Sequence, residues 1–139
     1  MARGIDNGGV NQINLALTVL SRTHPETYTH FMREVRQVLV SRICGPGAVA
    51  CTWAPGDPRA VHLAAHPLDF SLTELVLTLG HEGLHHWTVN GVHYQVPHSC
   101  QNCGNPRERG WDVIYQWEDE ARYSIERAVM HVQLYGVVP

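Results

Sequence analysis

His81, Glu82 and His85 stand in the hexapeptide HEGLHH at the end of an apolar run. On a helix, side chains four positions apart project side by side, so both imidazoles can aim at one point, with Glu82 about 100 degrees round the helix beside it. Two histidines and an adjacent carboxylate are the parts of a zinc centre. Zinc held by three protein ligands keeps a fourth position for water and brings the pKa of that water to about 7. A neighbouring carboxylate can take the proton as the water attacks a carbonyl.

Such a centre needs a third protein ligand. A metzincin-like pattern would place Gly at 88 and His at 91, but Thr88 and Gly91 stand there and His93 falls two residues late. Asp112 to Tyr115 in GWDVIY faintly resembles the Gly-Thr-x-Asp-x-x-Tyr of aspzincins, with the Gly one residue too close and no Thr. The segment EDEAR, Glu118 to Arg122, resembles the Glu-x-x-Ala/Ser-Asp segment of gluzincins. Together with HEGLH, it makes the chain look like a minimal gluzincin metallopeptidase. The resemblance rests on these two short motifs and on the order of elements.

It implies His81 and His85 as ligands, Glu82 as general base and Glu118 as third ligand. Glu120 is the alternative, followed by Asp112 or His93. Arg122 stands where many members carry an Asp that orients a zinc histidine, a task left to Asp119 or Glu120. A plain reading of EDEAR is a solvated helix face on which Glu118 and Arg122 form an i,i+4 ion pair. His93, Tyr94 and His98, near the expected mouth, and Tyr115 and Tyr123, flanking Glu118, are candidates to meet substrate or a developing oxyanion.

Cys44, Cys51, Cys100 and Cys103 remain. CQNCG resembles a zinc-knuckle turn, half of a structural zinc site that Cys44 with Cys51, or His98, would complete. A Cys44 to Cys51 disulfide, a redox-active Cys100 to Cys103 pair and free thiols are the other readings. A thioredoxin-like role fits poorly, because Cys100 and Cys103 sit in a Pro/Asn/Gly loop and not at the start of a helix.

The elements that must position these residues are legible as patterns. NQINLALTVLSR and THPETYTHFMREVRQVLVSRI have apolar residues three and four apart, so helix is expected through the first third, most clearly from Pro25 to Ile43. Thr23 with Glu26 around Pro25 reads as a capping box, and CGPG ends the helix. AVACTW and AVHLAA, flanking APGDPR, read as a hairpin or neighbouring strands, and AVHLAA is the strand expected to bind a substrate backbone by edge pairing. Ser71 with Glu74 opens the motif helix. Asn90-Gly91 marks a tight turn, and WDVIYQWEDEARYSIERAVMHVQLY returns to helix. The predicted architecture is α+β and zincin-like: a small β-sheet packed against a few helices, including an HExxH helix and a C-terminal glutamate helix.

Composition bounds the partners. With 139 residues, 44% of them hydrophobic, residues 1–139 read as a single domain with a real core. A net charge of -3 and no basic run argue against nucleic acid and membrane surfaces. No stretch approaches the roughly 18 apolar residues of a membrane span, and no signal peptide is recognisable, which places the chain in the cytoplasm. His24, His30, His62, His66 and His131 read as scattered surface or core histidines. The expected function is a zinc-dependent metallopeptidase with one catalytic Zn2+, acting on a peptide or protein substrate, with a second structural zinc an option at the cysteines. The alternatives are a non-catalytic zinc-binding or interaction domain, its site closed by His86, His93 or His98, and a small redox or zinc-knuckle adaptor. VQLYGVVP could pack on the core or lie in the cleft.

Overall fold

A computed structural model of the chain describes residues 4–52, 59–96, 98 and 113–139. Helix α1 (Asn7–Thr23) begins at Asp6, whose Oδ1 accepts from the Gly9 backbone N–H at 2.8 Å, and buries Ile13, Ala16, Leu17 and Leu20 at helical spacing. It stops at His24 because Pro25 opens α2 (Pro25–Glu34). The Thr23 and Glu26 capping box does not form. His24 is the cap residue and makes no side-chain cap hydrogen bond, while Thr23 Oγ1 donates back to the Val19 carbonyl at 2.9 Å.

Helix was expected to run on to Ile43, but α2 ends at Glu34 and the chain becomes strand β1 (Gln37–Val40). The β-branched residues of VRQVLV suit a pleated, half-buried surface, and Val38 pairs with Val61 in parallel, both fully buried. Strand β2 (Ala50–Cys51) pairs antiparallel with β3 (Ala60–Leu63), as the two β-prone runs suggest, in the order β1-β3-β2. AVHLAA is therefore the central strand with both edges taken. The edge beside it is β2.

After a 3₁₀ turn (Pro67–Asp69), α3 (Leu72–Leu84) starts at Ser71, whose Oγ accepts from the Glu74 N–H at 3.1 Å. The box is half formed, since the Glu74 carboxylate takes a 2.7 Å bond from Arg122 instead of reaching back. Every residue from Leu75 to Gly83 is buried. A helix buried all round belongs in the middle of a domain, and α3 packs against α1, α2, α4 and the sheet. Each large aliphatic side chain buried there contributes about 1.5–3 kcal/mol. Close approach is paid in side-chain volume: a Cβ on Gly80 would lie 2.2 Å from Trp117, and one on Gly83 2.7 Å from Phe31.

The hairpin of β4 (His86–Val89) and β5 (Val92–Gln95) turns at Asn90 and Gly91, both at positive φ, as in a type I′ turn. Helix α4 (Val113–Tyr135) buries Ile114, Ala121, Ile125 and Val129 and returns along α3. The architecture is α+β. Among the described residues, no helix is long and apolar enough to cross a membrane. Asp112, Cys100 and Cys103 lie outside the described residues.

Candidate metal centre

His81 and Glu82 lie on the last turn of α3, and His85 caps it with φ -74 and ψ -18, still near helical geometry. The four-residue spacing therefore works as helical spacing should. His85 Nε2 lies 3.3 Å from His81 Nε2. Zinc–nitrogen bonds of about 2.0–2.1 Å at a tetrahedral angle separate their nitrogens by about 3.3–3.4 Å.

The third imidazole is His98, two residues past the Val96 that follows β5, with its Nε2 2.9 Å from His81 Nε2. His81, His85 and His98 each offer a nitrogen within 4.8 Å of the others, close enough to hold one metal ion. The hairpin delivers His98. Its exit is clasped to the end of α3, because the Val96 N–H donates to the His85 carbonyl at 2.7 Å and the His85 Nδ1–H donates to the Val96 carbonyl.

Glu118, expected as third ligand, stands on the other side of the His81 ring. Its Oε2 accepts from His81 Nδ1 at 2.8 Å. One carboxylate oxygen is engaged by His81 Nδ1, while Nε2 of the same ring meets His85 and His98, the position from which a carboxylate can support a metal-bound imidazole. Glu120 is exposed and accepts from Gln116 Nε2 at 3.0 Å, one helix face away. His93 Nε2 pairs with His86 Nδ1 at 2.9 Å on the far side of the hairpin, which removes both from the centre. The ion pair read from EDEAR is loose, with Arg122 4.0 Å from Glu118 and bound to Glu74 instead.

These partners settle the tautomers. A ring whose Nδ1–H donates to a carboxylate or carbonyl keeps its lone pair on Nε2. His81 and His85 therefore turn their Nε2 lone pairs toward each other at 3.3 Å, and His98 Nε2 lies 2.9 Å from His81 Nε2, where a ring N–H can donate to that lone pair and a cation would take its place. The donor set suits zinc.

Glu82 completes the cluster. It is buried, with Oε1 4.0 Å from His81 Nε2. Burial pushes its carboxyl up to about 7, with His81 opposing the rise and Glu118 adding to it. His81, Glu82, His98, Tyr115 and Glu118 line a cavity of about 270 Å³, closed on the opposite wall by Gly47 to Ala50. Tyr115 lies against both His81 and His98, with ring centroids 4.8 and 4.5 Å away. Tyr94 and Tyr123 are exposed and do not line this cavity.

A larger hollow of about 540 Å³ beside α2 contains Glu26, His30 and Arg33. There His30 Nε2 donates to the His86 carbonyl at 2.7 Å while Nδ1 accepts from Arg33 at 3.1 Å, so the imidazole is spent. The other scattered histidines also have structural partners: Thr23 for His24, Ser41 for His62, Asp6 for His66 and the Val137 carbonyl for His131.

Cys44 and Cys51 form a disulfide. Sulfurs bonded to each other are not thiolates, so these two are not ligands of a structural zinc. Closing a loop of this size contributes about 2–3 kcal/mol.

Fold and site together define a small α+β protein with a three-histidine cluster beside a buried carboxyl. Comparisons with protein-family models, with curated proteins and with solved structures find no match to this chain.

Proposed function

We propose that the chain is a zinc-dependent metallopeptidase whose ligands are His81, His85 and His98. The observation that carries this reading is the convergence of three imidazoles next to a buried Glu82, two of which, His81 and His98, line with Glu82 a cavity of about 270 Å³. Zinc bound there would supply Lewis acidity and a water of pKa near 7.

The chain's own residues account for the remainder. Glu118 and the Val96 carbonyl hold the His81 and His85 tautomers that present Nε2. Glu82, buried beside His81, accepts the proton of the attacking water and passes it to the leaving amine. β2, an edge strand whose neighbouring residues wall the cavity, offers backbone groups to an extended substrate. The reading remains zincin-like in its helix-borne HExxH and resembles a gluzincin in its use of a C-terminal glutamate helix, with Glu118 behind a ligand.

A closed, non-catalytic site is less well supported. Of the candidates to close it, His86 and His93 are paired elsewhere, and His98 is the third member of the cluster, leaving three side-chain ligands among the described residues.

The test is metal content by mass spectrometry together with cleavage of casein. Wild type should hold zinc and cleave, and Glu82→Gln should hold the same zinc and lose at least about 100-fold in rate. Equal cleavage by wild type and Glu82→Gln would remove Glu82 from the mechanism and sink the reading.

A further inference from the structure

The cavity wall opposite the histidines is tied by a bond that thiols can break. Gly47, Ala48, Val49 and Ala50 face His81, Glu82 and His98, and all four lie between Cys44 and Cys51, which are joined across seven positions. Among the described residues, the wall is also held by the packing of Ala50 against the core and by a few backbone bonds. β2 is two residues long, shorter than ordinary strands, and pairs only at Ala50 with Leu63 and Cys51 with His62. Beyond the strand, Val49 O accepts from the Ala64 N–H at 2.9 Å and the Ala48 N–H reaches Gly45 O at 3.2 Å. Residues 45–49 are exposed, and both cysteines are half-buried, within reach of an attacking thiolate. The three imidazoles hang from α3 and from the chain just past β5, and Glu118 from α4. Between Cys44 and Cys51 the loop carries no histidine or carboxylate.

We infer that the Cys44–Cys51 disulfide is a redox control on substrate binding at this site: oxidised, it holds the Gly47–Ala50 wall against the cavity; reduced, it releases the wall and leaves the metal cluster intact. The inference rests on the metallopeptidase reading for what the cavity binds. The reductant is a dithiol. One thiolate attacks a cysteine sulfur and forms a mixed disulfide, and the second thiolate displaces the protein sulfur. Two electrons pass to Cys44 and Cys51, which end as two thiols, and the dithiol ends as a disulfide. Such bonds persist in oxidising compartments and are reduced in the cytosol, so the compartment that the chain meets would set the state of its cleft.

The chain of 139 residues loaded with Co2+ is titrated with a peptide hydroxamate and followed by its visible spectrum. Three forms are compared: oxidised, phosphine-reduced, and Cys44→Ser with Cys51→Ser, the last separating this pair from Cys100 and Cys103. Hydroxamate affinity should fall about tenfold or more in the second and third forms, since a preorganised wall lowers the ordering cost of binding, with cobalt content unchanged. Amide hydrogen exchange across residues 45–51 should speed up in the same two forms, a readout that needs no metal. Equal affinity in all three forms overturns the inference, and so does faster exchange without a loss of affinity. Should the double variant fail to fold, oxidised and phosphine-reduced Cys100→Ser with Cys103→Ser gives the same comparison, since only Cys44 and Cys51 are then left to reduce. A chain that cleaves casein in neither redox state, yet loses hydroxamate affinity on reduction, would refute the peptidase reading and leave this one standing.

Discussion

Glu118 meets His81 from behind: its Oε2 lies 2.8 Å from Nδ1, while Nε2 of the same ring faces His98 at 2.9 Å. The ring thus stands between a carboxylate and the other two histidines, and this placement separates two roles that a sequence motif alone confuses. A ligand donates its own electron pair to the metal. A carboxylate behind a ligand fixes the tautomer and raises the basicity of the nitrogen that does.

The two roles predict different losses of affinity. Glu118→Gln keeps an acceptor near His81 but removes its charge, and should weaken zinc binding about 10–100-fold without lowering the number of zinc ions bound at saturation. His98→Ala removes a ligand and should cost more than Glu118→Gln does. Competition with a chromophoric chelator measures both. If Glu118→Ala abolished binding while His98→Ala changed nothing, Glu118 would be the ligand and His98 a bystander.

A second relationship acts at longer range. The Glu34 carboxylate, buried at the end of α2, accepts from the Thr88 N–H at 2.8 Å and from Thr88 Oγ1 at 2.7 Å. Burial alone would push its carboxyl up, but the Thr88 bonds and the charges of His30 and Arg33 outweigh that and hold it below the usual value. Glu34→Ala leaves the two part-buried donors of Thr88 without their acceptor and should destabilise the chain by about 1–3 kcal/mol. Because Thr88 sits in the hairpin that carries the chain to His98, the same variant should also weaken zinc binding. Urea denaturation and chelator competition on one preparation check both, and a stability loss with unchanged zinc affinity would uncouple the hairpin from the metal centre.

Gly80 gives a third prediction, one whose sign opposes intuition. Gly→Ala inside a helix ordinarily gains about 1 kcal/mol. Here the new Cβ would lie 2.2 Å from the far edge of the Trp117 indole, which is packed between α3 and α4. Gly80→Ala should therefore destabilise by about 1–3 kcal/mol. Trp117→Phe shortens the opposing side chain, so the double variant should be less unstable than the sum of its parts, a coupling that a double-mutant cycle reads directly. Additive effects would mean that the helices do not meet at this point.

Local patterns explain which parts of the site could be read in advance. His81, Glu82 and His85 were legible because helical spacing is a local rule, and α3 announces itself by its Ser71 cap and apolar run. His98 was legible as a residue near the mouth and as one of several histidines or cysteines that could add a ligand, without a rule to choose it. Its arrival beside His81 depends on the register of β4 on β5, the Asn90-Gly91 turn and the Val96 clasp, and no i,i+4 rule encodes these. Glu118 was found through its motif, but its place at His81 Nδ1 was not, since a one-dimensional spacing does not say which nitrogen a carboxylate meets. β1 was hidden for another reason. VRQVLV continues the apolar spacing of α2, and only its pairing with β3, across the sheet, decides in favour of strand.

The last prediction follows from the burial of Glu82. Its carboxyl is pushed up to about 7 from an ordinary 4.5, so between those values the folded, metal-free chain holds a proton that the unfolded chain has released. Stability from this group is fully present below pH 4.5 and is lost as pH rises through 7. Buried His86 has the opposite slope: burial, helped by His93, holds its imidazole down to about 4 from 6.5, so stability falls as pH drops through that window. The wild-type profile mixes the two, but the difference between wild type and Glu82→Gln isolates the first. In EDTA the two proteins should be most alike near pH 4.5, and the variant should become relatively more stable as pH rises to 8, by up to about 3 kcal/mol. Adding zinc places a dication beside Glu82 and should shrink that gap. Urea denaturation at a series of pH values would show it, and parallel profiles in EDTA would mean that Glu82 is hydrated and ionised in the folded chain, too open to water to serve as the base proposed for it.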